Sequence, residues 1–91
     1  MRGYGYATIE FGNCASSGAV QLFLKGQMIE YLSGKGKMKV DFYFCDGDHL
    51  TFREINGGII LFSDFQYDCV TNTIDNEGWF FQKVFFSCFD I

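Results

Sequence analysis

The chain has 91 residues and a formal net charge of −4; 48% of its residues are hydrophobic and 20% aromatic, with twelve Phe and no Pro. That density of apolar side chains excludes a disordered chain, and no apolar run approaches the roughly 18 residues of a membrane-spanning helix. The acidic balance argues against nucleic acid as a partner, because an acidic surface repels phosphates and attracts basic proteins, and no membrane partner is expected.

A single domain over 1–91 is expected. So short a chain buries only about 60–65% of its unfolded surface, so its core must be dense. Glycine supplies the punctuation, at intervals suited to a small all-β domain. The opening "MRGYGYATIEFG" alternates apolar and polar residues and lacks a continuous apolar segment, so no leader is expected and the cytoplasm is the predicted compartment. Residues 4–11 read as a strand, with Ala7, Ile9 and Phe11 on one face and Thr8 and Glu10 on the other.

Residues 17–32 admit two readings. As strands, 20–25 and 27–32 join at Lys25-Gly26, which sets Leu22 opposite Ile29 and Val20 opposite Tyr31. As a single helix, Ser17 caps a stripe of Val20, Leu24, Met28 and Leu32. Gly26 in mid-helix costs about 1 kcal/mol, which favours the strands.

The clearest strand is 37–45. Met38, Val40, Phe42 and Phe44 face inward, and Lys37, Lys39, Asp41 and Tyr43 face outward. Residues 49–55 follow, with Leu50 and Phe52 inward. A three-residue loop, 46–48, is predicted to join these two as a hairpin that sets Phe44 opposite Leu50 and Asp41 opposite Arg53, because burial specifies register more strongly than the Asp46-Gly47 dipeptide does. Asn56-Gly57 predicts a second hairpin, with Phe52 opposite Leu61, Glu54 opposite Ile59 and His49 opposite Asp64. The chain then bends near Tyr67-Asp68, runs as a strand over 69–74, and returns through 79–90, where Trp79 is placed in the core. The expected fold is an all-β antiparallel meander of six to eight strands, partly or fully closed as a barrel or sandwich.

In an up-and-down order one end collects the 46–48 loop, the 67–68 bend and the C-terminus. Asp46, Asp48, Asp64, Asp68 and Asp90 then share that end with Cys45, His49, Cys69 and Cys88. Three chemistries compete there. Cys45, His49 and Asp64 have the composition of a thiol nucleophile, its base and an orienting acid, but their spacing matches no nucleophile motif. Cys45, His49, Cys69 and Cys88 have zinc-ligand types without the tight pairs zinc sites use. Asp-Gly-Asp by itself is turn chemistry. The four cysteines, Cys14 included, lie 31, 24 and 19 residues apart, so free thiols packed as small hydrophobes are expected, with no metal and no cofactor.

Lys35, Lys37 and Lys39 alternate beside Tyr43, a pattern that can track single-stranded nucleic acid but also protects a sheet edge. Outward Tyr43, Ile60 and Phe62 form one apolar strip, and Phe23 and Met28 add another; exposed aromatics on a polar face mark protein contacts. The functional expectation is therefore a small acidic, non-enzymatic cytoplasmic binding protein. It is read as an inhibitor of a basic, nuclease-type enzyme, such as a toxin-immunity protein or a phage anti-defence protein. The contact set is Asp46, Asp48, Asp64 and Asp68 with Tyr43 and Phe62. The alternatives are a small-ligand-binding β-barrel and a Cys/His-based metal or thiol enzyme.

Overall fold

A computed structural model describes residues 2–11, 18–34, 36–66, 72–75 and 78–89, with 72–75 and 82 described by backbone alone. The described chain is all-β, with eight strands: β1 (Arg2–Phe11), β2 (Ala19–Leu24), β3 (Gln27–Ser33), β4 (Gly36–Cys45), β5 (His49–Asn56), β6 (Ile59–Gln66), β7 (Asn72–Asp75) and β8 (Phe81–Phe89). They form two four-stranded antiparallel sheets, ordered β4-β1-β8-β7 and β3-β2-β5-β6. Inner residues of both sheets share one apolar interior, so the architecture is a sandwich, and the sheets do not close into a barrel. The expected bend at 67–68 and the first part of the expected strand 69–74 lie outside the described residues.

Three local hairpins, β2–β3, β5–β6 and β7–β8, are joined by passages from one sheet to the other, two of them in succession on either side of β4. The 17–32 segment is a hairpin, not a helix. Lys25 (φ 54°) and Gly26 (φ 75°) supply the two positive φ angles of a two-residue turn. The expected register holds beside that turn, where Phe23 faces Met28. A bulge between Leu22 and Phe23 then shifts it, so Leu22 faces Glu30 and Val20 faces Leu32. One extra residue in β3 therefore sends Tyr31 to the outer face, opposite Gln21.

The 46–48 loop has the expected length but makes no hairpin. β4 pairs with β1, β5 pairs with β2 and β6, and the loop carries the chain between sheets. Both strands have inward residues in phase, Phe42 and Phe44 on one and Leu50 and Phe52 on the other, and this pattern fits two facing sheets as well as two paired strands. Asp41 consequently lies far in register from Arg53; it faces Tyr6 instead. In the β5–β6 hairpin the turn is Gly57-Gly58, one residue later than predicted, and Asn56 pairs with Ile59. Gly57, at φ 63°, occupies the first turn position, which a type II′ turn reserves for glycine. The registers move by two places, so every side chain keeps its predicted face.

The interior is filled by rings. Phe52 stacks on Phe81 at 4.5 Å, and Phe42 and Phe44 each meet Phe86 edge-on at 5.8 Å. Room for two of these rings comes from β1. A Cβ on Gly3 would lie 2.1 Å from the Phe44 ring, and one on Gly5 would lie 2.6 Å from Phe42. The interior of a ligand-holding barrel is therefore replaced by packed phenylalanine. Trp79, predicted to be a core anchor, is 43% exposed, while the neighbouring Phe80 and Phe81 take the buried places.

Candidate functional site

One charged residue lies deep in the interior. Glu54 shares the inner face of β5 with Leu50 and Phe52 and is 0% exposed. Its Oε2 accepts a hydrogen bond from the Phe80 N–H at 2.6 Å, across to the bend that leads into β8. Oε1 accepts none among the described residues. Burial pushes the carboxyl above its ordinary range, and the backbone N–H groups of Phe80, Phe81 and Trp79 oppose that shift. A Cβ on Gly78 would sit 1.9 Å from Oε1, so only glycine lets the bend close over the carboxylate. Glu54 thus ties the second sheet to the first. The alternation through Leu50 and Phe52 already pointed it inward, and this was the available signal for a residue that sequence reasoning left out of the candidate set.

The end predicted to gather the acids does gather strand termini. Arg2 pairs with both Cys45 and Phe89, His49 pairs with Gln66, and the Gln66 side-chain amide donates to the Gly47 carbonyl at 3.5 Å. Asp46, Asp48 and Asp64 stand at this end in different circumstances. Asp46 is exposed at the loop tip. The Asp48 side chain is only 10% exposed; it accepts the Cys45 N–H at 2.7 Å and lies 3.5 Å from Lys25 Nζ. Asp64 accepts from the Thr51 hydroxyl at 3.0 Å and meets His49 Nδ1 at 3.1 Å. Asp68 and Asp90 lie outside the described residues. Asp48 and Asp64 are therefore engaged within the chain, and Asp46 is the freest of the three.

The thiol set separates. His49 and Asp64 bond as the sequence suggested, on the outer face of the second sheet. Cys45 is on the outer face of the first, and no described hydrogen bond joins it to His49. Cys88 is inward, packed against the core and disulfide-bonded to a partner outside the described residues. The expectation of four free thiols is corrected: a bonded Cys88 cannot be a zinc thiolate, and its face is opposite to that of Cys45. Cys14 and Cys69 lie outside the described residues. Among the described residues no cluster of three or more His, Cys, Asp or Glu forms, and no helix is long and apolar enough to cross a membrane.

The two aromatic candidates for partner contact also part company. Tyr43 is on the outer face of the first sheet, in a row of cross-strand contacts that runs from β4 to β8. It packs on Tyr4 at 5.7 Å; the Tyr4 hydroxyl donates to Asp41; Lys39 sits 4.4 Å over the Tyr6 ring; and Tyr6 stacks on Phe85 at 5.3 Å. β4 is an edge strand, so Lys37 and Lys39 stand where cations discourage edge-to-edge pairing; Lys35 is outside the described residues. Phe62 is on the outer face of the second sheet. One row there runs Tyr31–Gln21–Arg53–Phe62, and the flanking rows bring Met28 and Phe23 on one side and Ile55 and Ile60 on the other. Arg53 donates to Gln21 Oε1 at 2.6 Å and lies 6.0 Å over the Phe62 ring. Among the described residues, four exposed large hydrophobics, Met28, Tyr31, Ile60 and Phe62, lie on this face, and all four belong to β3 and β6, the two edges of the sheet. The predicted strips around Ile60 and Phe62 and around Phe23 and Met28 thus merge into one surface, and Tyr43 leaves it. Comparison with known protein families, with curated proteins and with solved structures found no match for this chain.

Proposed function

We propose that this chain is a non-enzymatic protein-binding module, of the inhibitor type, that docks through the outer face of the β3-β2-β5-β6 sheet. The observation that carries the reading is the apolar surface of that face, with Phe62 63% exposed and Tyr31 51% exposed around an arginine held in place by Gln21. Rigid aromatics beside a positioned Arg are the residue types that dominate protein interfaces. Asp64 and Asp46 lie toward one end of this face, near Lys25, and Glu30 belongs to its edge strand; these three exposed acids suit a basic partner such as a nuclease-type enzyme. Asp48 leaves the contact set because it is nearly buried and ion-paired; Tyr43 leaves it because it belongs to the other sheet. The compartment is also revised. A disulfide at Cys88 favours an oxidising environment over the cytoplasm for this encounter.

Immobilised wild type, Phe62→Glu and Tyr43→Glu proteins, offered the same cell extract, test this. The expected result is a basic protein retained by wild type and by Tyr43→Glu, released by rising salt, lost with Phe62→Glu, and inhibited when free wild type is added back. Retention by Phe62→Glu equal to that by wild type would overturn the reading.

A further inference from the structure

A second site lies away from the proposed docking face. β3 and β4 are edge strands of different sheets, connected through residues 34–35, and they do not pair. Where β3 begins and β4 ends, the two edges stand apart and leave an open cleft of about 580 Å³. Its size falls within the roughly 300–1,000 Å³ of small-molecule sites. Leu24 and Phe44, which also pack in the interior, give it an apolar floor, and Tyr43 and Ile29 add apolar wall. Arg2 and Lys25 bring two cations, against a single acid, Asp48.

The charges are not balanced. Asp48 already accepts the Cys45 N–H and pairs with Lys25 at 3.5 Å, and its side chain is only 10% exposed. Arg2 is exposed and has no acidic partner among the described residues. A guanidinium at the mouth of a mostly apolar cleft is suited to a carboxylate or phosphate oxygen pair. A neutral ligand would leave that charge unused, and an amphipathic cation would be repelled. We infer that the cleft between the β3 and β4 edges binds a small amphipathic anion, with its apolar body on Leu24, Phe44, Tyr43 and Ile29 and its anionic head held by Arg2 with Lys25. This site is independent of the Phe62 face.

Cys45 supplies the readout, because it lines the cleft, is exposed and carries a free thiol. The rate of Cys45 alkylation by neutral iodoacetamide, mapped by peptide mass spectrometry, is measured with dodecanoate below its micelle concentration, with naphthoate, and with dodecyltrimethylammonium. Titration calorimetry runs in parallel. At least one of the two carboxylates is expected to slow alkylation saturably; dodecanoate alone would name an acyl body and naphthoate alone an aromatic one. The Arg2→Gln/Lys25→Asn variant should bind at least about tenfold more weakly, the loss expected for charge-assisted contacts. Asn tolerates the positive φ of Lys25, and Arg2→Gln alone gives the same test at an exposed position should the double variant fail to fold. The inference is overturned if neither carboxylate protects Cys45, if the cation protects it equally, or if the Arg2 variants bind like wild type.

Discussion

The outer faces of the two sheets both carry aromatics, yet they do different things with them. On the first sheet, Tyr4, Tyr6, Tyr43 and Phe85 each pair with a neighbouring ring, and Lys39 and Asp41 reach Tyr6 and Tyr4, so each ring has a partner within the chain. On the second, Phe62, Tyr31, Met28 and Ile60 spread across both edges of the sheet, and Arg53 is the cation that reaches the Phe62 ring. Exposure alone does not separate them, since Tyr43 is 72% exposed and Phe62 63%. What separates them is the company each ring keeps. A ring paired across strands contributes to the sheet; a surface of rings and aliphatics without such matching is the kind that meets another molecule.

The two faces can be compared only while one interior joins them, so the harshest test removes the joint. Glu54→Ala is expected to destabilise the fold by about 3 kcal/mol or more, because it leaves a void and orphans the Phe80 N–H. Urea denaturation measures this. Gly78→Ala should give a comparable loss, since its Cβ would lie 1.9 Å from Glu54 Oε1. The same carboxyl sets a pH dependence. Its folded pKa is raised above the ordinary 4.5 by burial, so the folded state holds its proton more tightly than the unfolded state. Its contribution is therefore most favourable below the ordinary value and declines as pH rises through the raised folded value. Melting curves should show this decline in the wild type, and Glu54→Gln should lack it.

A smaller loss is expected at the first sheet. Gly5→Ala places a Cβ 2.6 Å from the Phe42 ring and 2.8 Å from the Phe85 carbonyl oxygen, an overpacking expected to cost about 1–3 kcal/mol. If chemical denaturation showed no loss, the claim that β1 makes room for the Phe42 and Phe44 rings would fail. The direct contrast is finer still. Tyr43→Ser should cost about 0.5–1 kcal/mol, because it removes a cross-strand aromatic pair, whereas Phe62→Ser should stay within about 0.5 kcal/mol of wild type. Equal losses would erase the distinction between the faces.

The smallest effect is spectroscopic. The Tyr4 hydroxyl donates to Asp41, and that hydrogen bond, with some desolvation, pushes its pKa up to about 12. Ultraviolet titration should find one tyrosine ionising late, and Asp41→Asn should bring it down.

Alternation along each strand was legible in the sequence because a strand buried on one face must place apolar residues at every second position. It set the inward faces of β1, β4 and β5, the Lys25-Gly26 turn and the all-β class; the same parity points Glu54 inward too, but a charged residue is not expected inside and its burial came from the structure. Which strand lies beside which was a different matter. Phe42 and Phe44 face the interior whether β4 pairs with β5 or crosses to another sheet, so the pattern could not tell a hairpin at Gly47 from a corner. A period of two is blind to register shifts of two, which is why the β5–β6 faces survived a displaced turn, and it has no way to announce the bulge that turned Tyr31 outward. The positions of the candidate residues were likewise half legible. Phe62 and Asp64 were outward from parity alone, whereas the separation of Tyr43 from Phe62, the burial of Asp48 beside Lys25 and the opening between the β3 and β4 edges follow from how the two sheets stack, and only the tertiary structure decides that.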